Sequence, residues 1–238
     1  MAELKSSSSL SLRVCVSFVA ILAPFILLSK GIFGSFLFTF SVPLIWQFGF
    51  LGKSIYSLGL RRDFLRSSLI AGLISGVILG LLGGSILKLL GITGYIFTGG
   101  HTLRIAIGVF PVEFSLQNEL GYRLLNMSAT PAGIFVYLLF SVLVIGLGEE
   151  WFWRGFVLKK ILNHAPMHAA IWITAILFAA IHFYIFAVLP FAAGVIFLAI
   201  IAIAGACWGY LFMFFNNLWP VAISHGIAAF IIWKYYFF

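Results

Sequence analysis

Charge is the scarcest feature of this 238-residue chain: Asp, Glu, Lys and Arg together make up 8% of it, against about 25% in a soluble domain. With 63% hydrophobic residues, the chain cannot cover its own surface with polar groups, which excludes a water-soluble globule. Helices in lipid need no such cover, because they satisfy their backbone internally. Cysteine is almost absent. Cys15 and Cys207 lie inside apolar runs and no Cys-x-x-Cys occurs, so a disulfide framework is not indicated and the redox compartment is unmarked. His-Glu-x-x-His, Gly-x-Ser-x-Gly and a phosphate-binding glycine loop are all missing, and the zincin reading fails with the first of them. No repeat or low-complexity linker divides the chain, so one membrane domain over 1–238 is expected. The net charge of +8 does not point to nucleic acid. The basic residues sit in short clusters between apolar runs, as the topology rule requires, and no basic stripe is interleaved with exposed aromatics.

What is present is hydrophobic length. At about 20 residues per span, the chain holds an all-α polytopic bundle of about seven transmembrane helices with the lipid bilayer around it. Spans are expected at about 10–29, 32–52, 66–90, 131–162, 168–189, 191–213 and 218–236. The first is read as a span and not a cleaved leader, because no small-x-small cleavage site is evident. Lys53, Arg61, Arg62 and Arg66 put the second loop in the cytoplasm, and Lys159 and Lys160 do the same for the end of the fourth span. Gly72, Gly76, Gly80 and Gly84 recur at every fourth residue of the third span, a face on which another helix backbone can approach closely. Residues 91–130 form the one long loop. Within it Leu116, Leu120, Leu124 and Met127 share a helical face, as in a helix lying on the membrane. Glu113 and Glu119 belong there to a solvated face. Thr130-Pro131 is a helix start. The N-terminal spans and loop thus occupy 1–130, and a core occupies 131–236.

A charged group at bilayer depth costs at least ~2.5 kcal/mol on insertion scales, so an ionisable residue inside a span is a functional hypothesis by default. Glu149, Glu150, Arg154, His182 and His225 are such residues, with Lys88 and Lys234 nearer span ends. Glu150 and Arg154 are four apart and can pair on one helix face. Glu149 points about 100° away from that face and has no local counter-ion, which suits a general base. Counting 14 residues from Glu149 to Asn163 and 15 from Met167 to His182 puts Glu149 and His182 at one level of a helical hairpin, roughly 21 Å from the turn at 1.5 Å per residue. His225, about two turns into the seventh span, reaches that level only if the loop before it is recessed. His164 and His168 are also four apart, but Pro166 between them marks a solvated turn.

These residues resemble a known family. Glu149-Glu150-x-x-x-Arg154 is similar to the first motif of the CAAX-protease and bacteriocin-processing (CPBP, or Abi) intramembrane peptidases, and Phe178-x-x-x-His182 to the second. Gly205-Ala-Cys-Trp-Gly209-Tyr210, Leu218-Trp219-Pro220 and His225 resemble the approach to the third. The resemblance covers about residues 131–236. It implies an intramembrane endopeptidase acting on a membrane-anchored peptide or protein, and a multi-pass protein of the plasma (inner) membrane. It implies Glu149 as activator of water, His182 as sharing that task or stabilising the transition state, His225 as a ligand of the tetrahedral oxyanion, and Glu150 and Arg154 as support. One departure stands out. The family's third motif ends in Asn or an acidic residue four positions after the histidine, and here that position is Ala229. Alanine cannot donate a hydrogen bond, and losing one oxyanion donor costs ~10²–10³ in rate; Ser224 and Asn217 are the nearby substitutes. No cofactor is expected, because paired-glutamate chemistry needs no metal; a zinc held by Glu and two His with an open position is the alternative. Ala229 also motivates a second function, a non-catalytic immunity factor or membrane scaffold. A third, a small proton-coupled transporter, has the missing inverted repeat against it.

Overall fold

The structure, a computed structural model, describes residues 59–61, 65–91, 102–107, 110–115, 130–187 and 189–236. Helix α1 spans Leu65–Leu89. Strands β1 (Thr102–Ile107) and β2 (Phe110–Ser115) pair antiparallel. Helix α2 spans Pro131–Ile161, α3 Met167–Ala180, α4 Phe191–Phe215 and α5 Leu218–Tyr236. Outside the hairpin and short turns, the described residues are helical. The hairpin lies within the segment expected as the one long loop, and the membrane helices around it keep the expected all-α class. Leu103, Ile105, Ile107, Phe110, Val112 and Phe114 fall at alternate positions, the period of a strand, and the register pairs Ile105 with Val112 and Ile107 with Phe110. The expected interfacial helix from Leu116 to Met127 and the first two spans lie outside the described residues.

Helices α1, α2 and α4 are long and apolar enough to cross a bilayer. Their outward surface is apolar too: Leu73, Ile74 and Phe135 are 52%, 55% and 65% exposed. A contiguous face of this kind aggregates in water and is at home in lipid. This is an integral membrane protein. Of the other expected spans, α3 is shorter than drawn. Its α-helix stops at Ala180 and a 3₁₀ segment, Ile181–Ala187, follows. Helix α5 carries Ser224, His225 and Lys234 and falls outside the strongly apolar set. It is the centre of the fold, with Leu218, Val221, Ala222 and Ser224 fully buried.

Glycines let α5 be embraced. A Cβ at Gly76 would stand 2.8 Å from the Ser224 carbonyl oxygen, so the glycine stripe of α1 lies directly on the α5 backbone. On the opposite side α2 crosses equally closely. A Cβ at Gly226 would stand 2.6 Å from the Ser141 carbonyl oxygen, and one at Gly146 would collide with the Ala222 carbonyl. We expect Gly226→Val to cost about 1–3 kcal/mol or more through overpacking, read as a lower melting temperature in detergent. A variant melting with the wild type would contradict this crossing.

Helix α2 is not uniform. Thr130 caps it by accepting from the Gly133 amide at 3.1 Å, and Pro131 occupies its first turn. Two wide π-helical stretches, Ser141–Gly146 and Trp151–Leu158, flank the short α-turn Leu147–Glu150. The Leu147 amide reaches back five residues to the Val142 carbonyl. Single π-turns inside helices recur at functional positions, and here they bracket the two glutamates.

The connection from α4 to α5 is only Asn216-Asn217. Asn216 takes a left-handed conformation with φ 48°, which asparagine tolerates better than most residues. Asn217 is buried and its amide donates to the Arg61 carbonyl at 3.1 Å. The Leu218 amide donates to the Gly59 carbonyl at 2.8 Å. The turn is therefore recessed beneath the segment that precedes α1, which is the condition His225 needed.

Candidate active site

Four helices converge on one buried polar cluster. Glu150, fully buried on α2, accepts from Arg154 Nη1 at 2.7 Å through Oε1. The same oxygen lies 2.8 Å from His225 Nδ1 on α5. Arg154 Nη2 donates to the Gly205 carbonyl of α4 at 2.6 Å. A side chain at position 205 would stand 3.3 Å from that nitrogen, so glycine there leaves the guanidinium its seat. Charge on Glu150 is thus answered by a cation and a second donor, which offsets the large cost of burying it.

Glu149 is placed differently. Its Oε2 lies 3.8 Å from His225 Nε2, beyond hydrogen-bond reach, and has no hydrogen-bond partner among the described residues. His225 thus stands between the glutamates, bonded to one and facing the other. Because the Glu150 carboxylate can only accept, His225 Nδ1 carries the proton, and in the neutral ring Nε2 carries the lone pair. His182 is the second residue of the 3₁₀ segment, and its Nδ1 donates to the Phe178 carbonyl at 2.9 Å, so the same tautomer follows.

Phe178 explains why the second motif needs an aromatic ring. The Arg154 guanidinium carbon lies 5.0 Å from its centroid. His182 packs edge-to-face at 5.0 Å and His225 at 5.7 Å. Trp153 meets the same ring at 5.9 Å and Trp208 at 6.1 Å. One side chain therefore orients both histidines and the cation.

Sequence reasoning did not single out Trp208. It stacks on the His225 imidazole at 4.0 Å with 21° between planes, and its Nε1 donates to Ser224 Oγ at 3.0 Å. An indole three residues after Gly205 and directly before Gly209 was the visible signal. Ser224 Oγ thereby accepts a hydrogen bond and keeps its own O–H as a donor. Asn217 is corrected as a substitute donor, because its amide braces the α4–α5 turn. His164 lies on the exposed turn and His168, also exposed, in the first turn of α3, where its Nδ1 is 2.9 Å from the Tyr210 hydroxyl. Glu113 stands opposite Arg104 in the hairpin register, and Glu119 lies outside the described residues. Among the described residues, no three His, Cys, Asp or Glu side chains converge as a metal set.

With this geometry in view, residues 131–231 match the family model described as type II CAAX prenyl endopeptidase, Rce1-like. The match to the Rce1-like family covers that segment, less than half of the 238-residue chain. The family is the one that the motifs resembled, and it is a family of proteases. The matched segment runs from the start of α2 through most of α5 and contains Glu149, Glu150, Arg154, His182, His225 and position 229. Helix α1, which supports α5 from behind, lies outside it. No curated protein and no solved structure matches the chain.

Proposed function

We propose that the chain is an intramembrane glutamic endopeptidase that hydrolyses a peptide bond in a membrane-anchored protein or peptide, as a multi-pass protein of the plasma (inner) membrane. The observation carrying this reading is the Glu149 carboxylate: held at 12% exposure, without a hydrogen-bond partner among the described residues, and facing an imidazole lone pair. Two acceptors so placed suit a water molecule with two protons to give. Glu149 takes one proton as the water oxygen bonds to the substrate carbonyl carbon, and His225 Nε2 holds the other. The carbonyl π pair moves onto oxygen. Collapse of that intermediate breaks the carbon–nitrogen bond, and the proton on Glu149 passes to the leaving nitrogen. In this reading His225 serves the water and not the oxyanion, because its one N–H is given to Glu150. His182 shares the water-holding task, and Glu150 with Arg154 keeps the rings in place. No step requires a metal.

The test uses purified full-length protein in detergent with a farnesylated peptide ending in Cys-aliphatic-aliphatic-X. Mass spectrometry in ¹⁸O-water is expected to find a shortened peptide with label in its new carboxylate. Absence of that product from active-folded protein contradicts the reading. Ala229 favours a second reading, a non-catalytic immunity factor or scaffold. In that case Glu149→Gln leaves the cellular phenotype intact while misfolding variants lose it.

A further inference from the structure

The topology rule asks only that basic residues lie on the cytoplasmic side of the spans. It does not ask that cations from distant segments meet, yet here they do. The stretch before and into α1 carries Lys53, Arg61, Arg62 and Arg66 against one acid, Asp63, and the end of α2 carries Lys159 and Lys160. Two hydrogen bonds fix the first group. The Arg61 carbonyl accepts from the Asn217 amide at 3.1 Å, and the Gly59 carbonyl from the Leu218 amide at 2.8 Å. This segment therefore lies on the α4–α5 turn. Gly59 also presses on Phe212 in the last turn of α4, whose ring a Cβ at 59 would meet at 2.9 Å.

Phe212 is where the second group arrives. Lys159 Nζ lies 5.4 Å from its ring centroid, and Lys160 Nζ lies 5.9 Å from that of Phe156, both within the range of a cation–π contact. Lys159 and Arg61 are close enough for their charges to repel. A helix dipole favours a cation near the last carbonyls of α2. It does not call for one turned onto α4 within reach of a second cation. Lys159 and Lys160 are half-buried, and Arg61 and Arg66 are exposed. Like charges gathered where solvent is partly displaced raise the energy of the fold, and an anion among them lowers it. The place decides which anion. These cations stand at the ends of α2 and α4 and the starts of α1 and α5, at headgroup level, on the side that the topology rule makes cytoplasmic. That leaflet carries the anionic lipids.

We propose that Arg61, Lys159 and Lys160 form a binding site for the phosphate headgroup of an anionic phospholipid of the cytoplasmic leaflet. The lipid clamps three pieces together: the segment before α1, the end of α2 and the α4–α5 turn. Two of these lead directly into the helices that carry Glu149 and His225. The inference needs the membrane and its topology, and it stands apart from the endopeptidase reading.

The experiment adds phosphatidylglycerol or phosphatidylcholine to purified full-length protein in a neutral detergent. Native mass spectrometry counts the lipid retained as its concentration rises, and melting temperature is read on the same samples. Wild type is expected to hold phosphatidylglycerol more tightly than phosphatidylcholine and to melt higher with it. That preference is expected to fall about fivefold for each cation removed by Arg61→Gln, Lys159→Gln or Lys160→Gln, and to shrink in wild type as salt is raised. The salt series keeps the comparison open where a variant fails to fold. Lys88→Gln and Lys234→Gln remove the same charge at the far ends of α1 and α5 and are expected to keep the preference. Equal retention of the two lipids overturns the site, as does a preference that Lys88→Gln lowers as much as Lys159→Gln. A rise in melting temperature that inorganic phosphate matches at equal concentration places a free anion there and overturns the lipid assignment. Displacement of bound phosphatidylglycerol by a soluble glutamate-rich peptide assigns the cations to an acidic protein segment and overturns it too.

Discussion

Replacing Glu149 by glutamine is expected to lower turnover of the farnesylated peptide by roughly 10²–10⁴-fold, the range for loss of a general base, with little change in melting temperature. The amide keeps the size and shape of the carboxylate and removes its capacity to take a proton. Stability is spared because Glu149 Oε2 accepts no hydrogen bond among the described residues, so no folded-state bond is lost. Glu149→Asp is the informative companion. It keeps the base but withdraws it by one methylene from His225 Nε2, already 3.8 Å away, and retains only a fraction of the wild-type rate.

Removing Arg154 is expected to act the opposite way. Arg154→Met preserves much of the side-chain volume but leaves Glu150, fully buried, with its charge uncompensated. Breaking a buried pair from one side typically costs about 3–5 kcal/mol. The cost here is expected near the upper end, because Arg154 also ties α2 to α4 through the Gly205 carbonyl and fills the space against Phe178 and Trp208. The double variant Arg154→Met with Glu150→Gln is expected to recover part of that loss, since neither charge then remains. A cycle of the two single variants and the double isolates the coupling. Additive losses would contradict the geometry of the pair.

Much of the site could be read from residue spacing, because helix geometry is local. The four-residue step from Glu150 to Arg154 implies the contact at 2.7 Å, and the glycine period of α1 implies a close neighbour. What spacing does not carry is the partner across the fold. Nothing local says that the α5 backbone is that neighbour, or that Gly146 and Gly226 form a second close crossing. The π-helical stretches around Leu147–Glu150 are equally silent, since a uniformly apolar run shows no change of period when a helix widens. The depth of His225 depended on the loop between the sixth and seventh spans. Helix α4 continues to Phe215, and a left-handed Asn216 turns the chain in two residues. The hairpin was visible as alternation in Thr102–Ile107 and Phe110–Ser115, but those short runs sat in a segment assigned as loop. The proposed reading gives His225 the water and not the oxyanion for a chemical reason: a ring whose Nδ1 proton goes to a carboxylate offers a lone pair on its other nitrogen.

The central claim is a division of labour between adjacent glutamates, Glu149 reacting and Glu150 bracing. The most direct test measures turnover of the farnesylated peptide and melting temperature together for Glu149→Gln and Glu150→Gln in purified full-length protein. We expect Glu149→Gln to melt with the wild type and lose turnover, and Glu150→Gln to melt lower, because Arg154 and His225 lose their common acceptor. A Glu149→Gln protein that still cleaves at the wild-type rate, or one that unfolds while Glu150→Gln remains stable, would contradict that division.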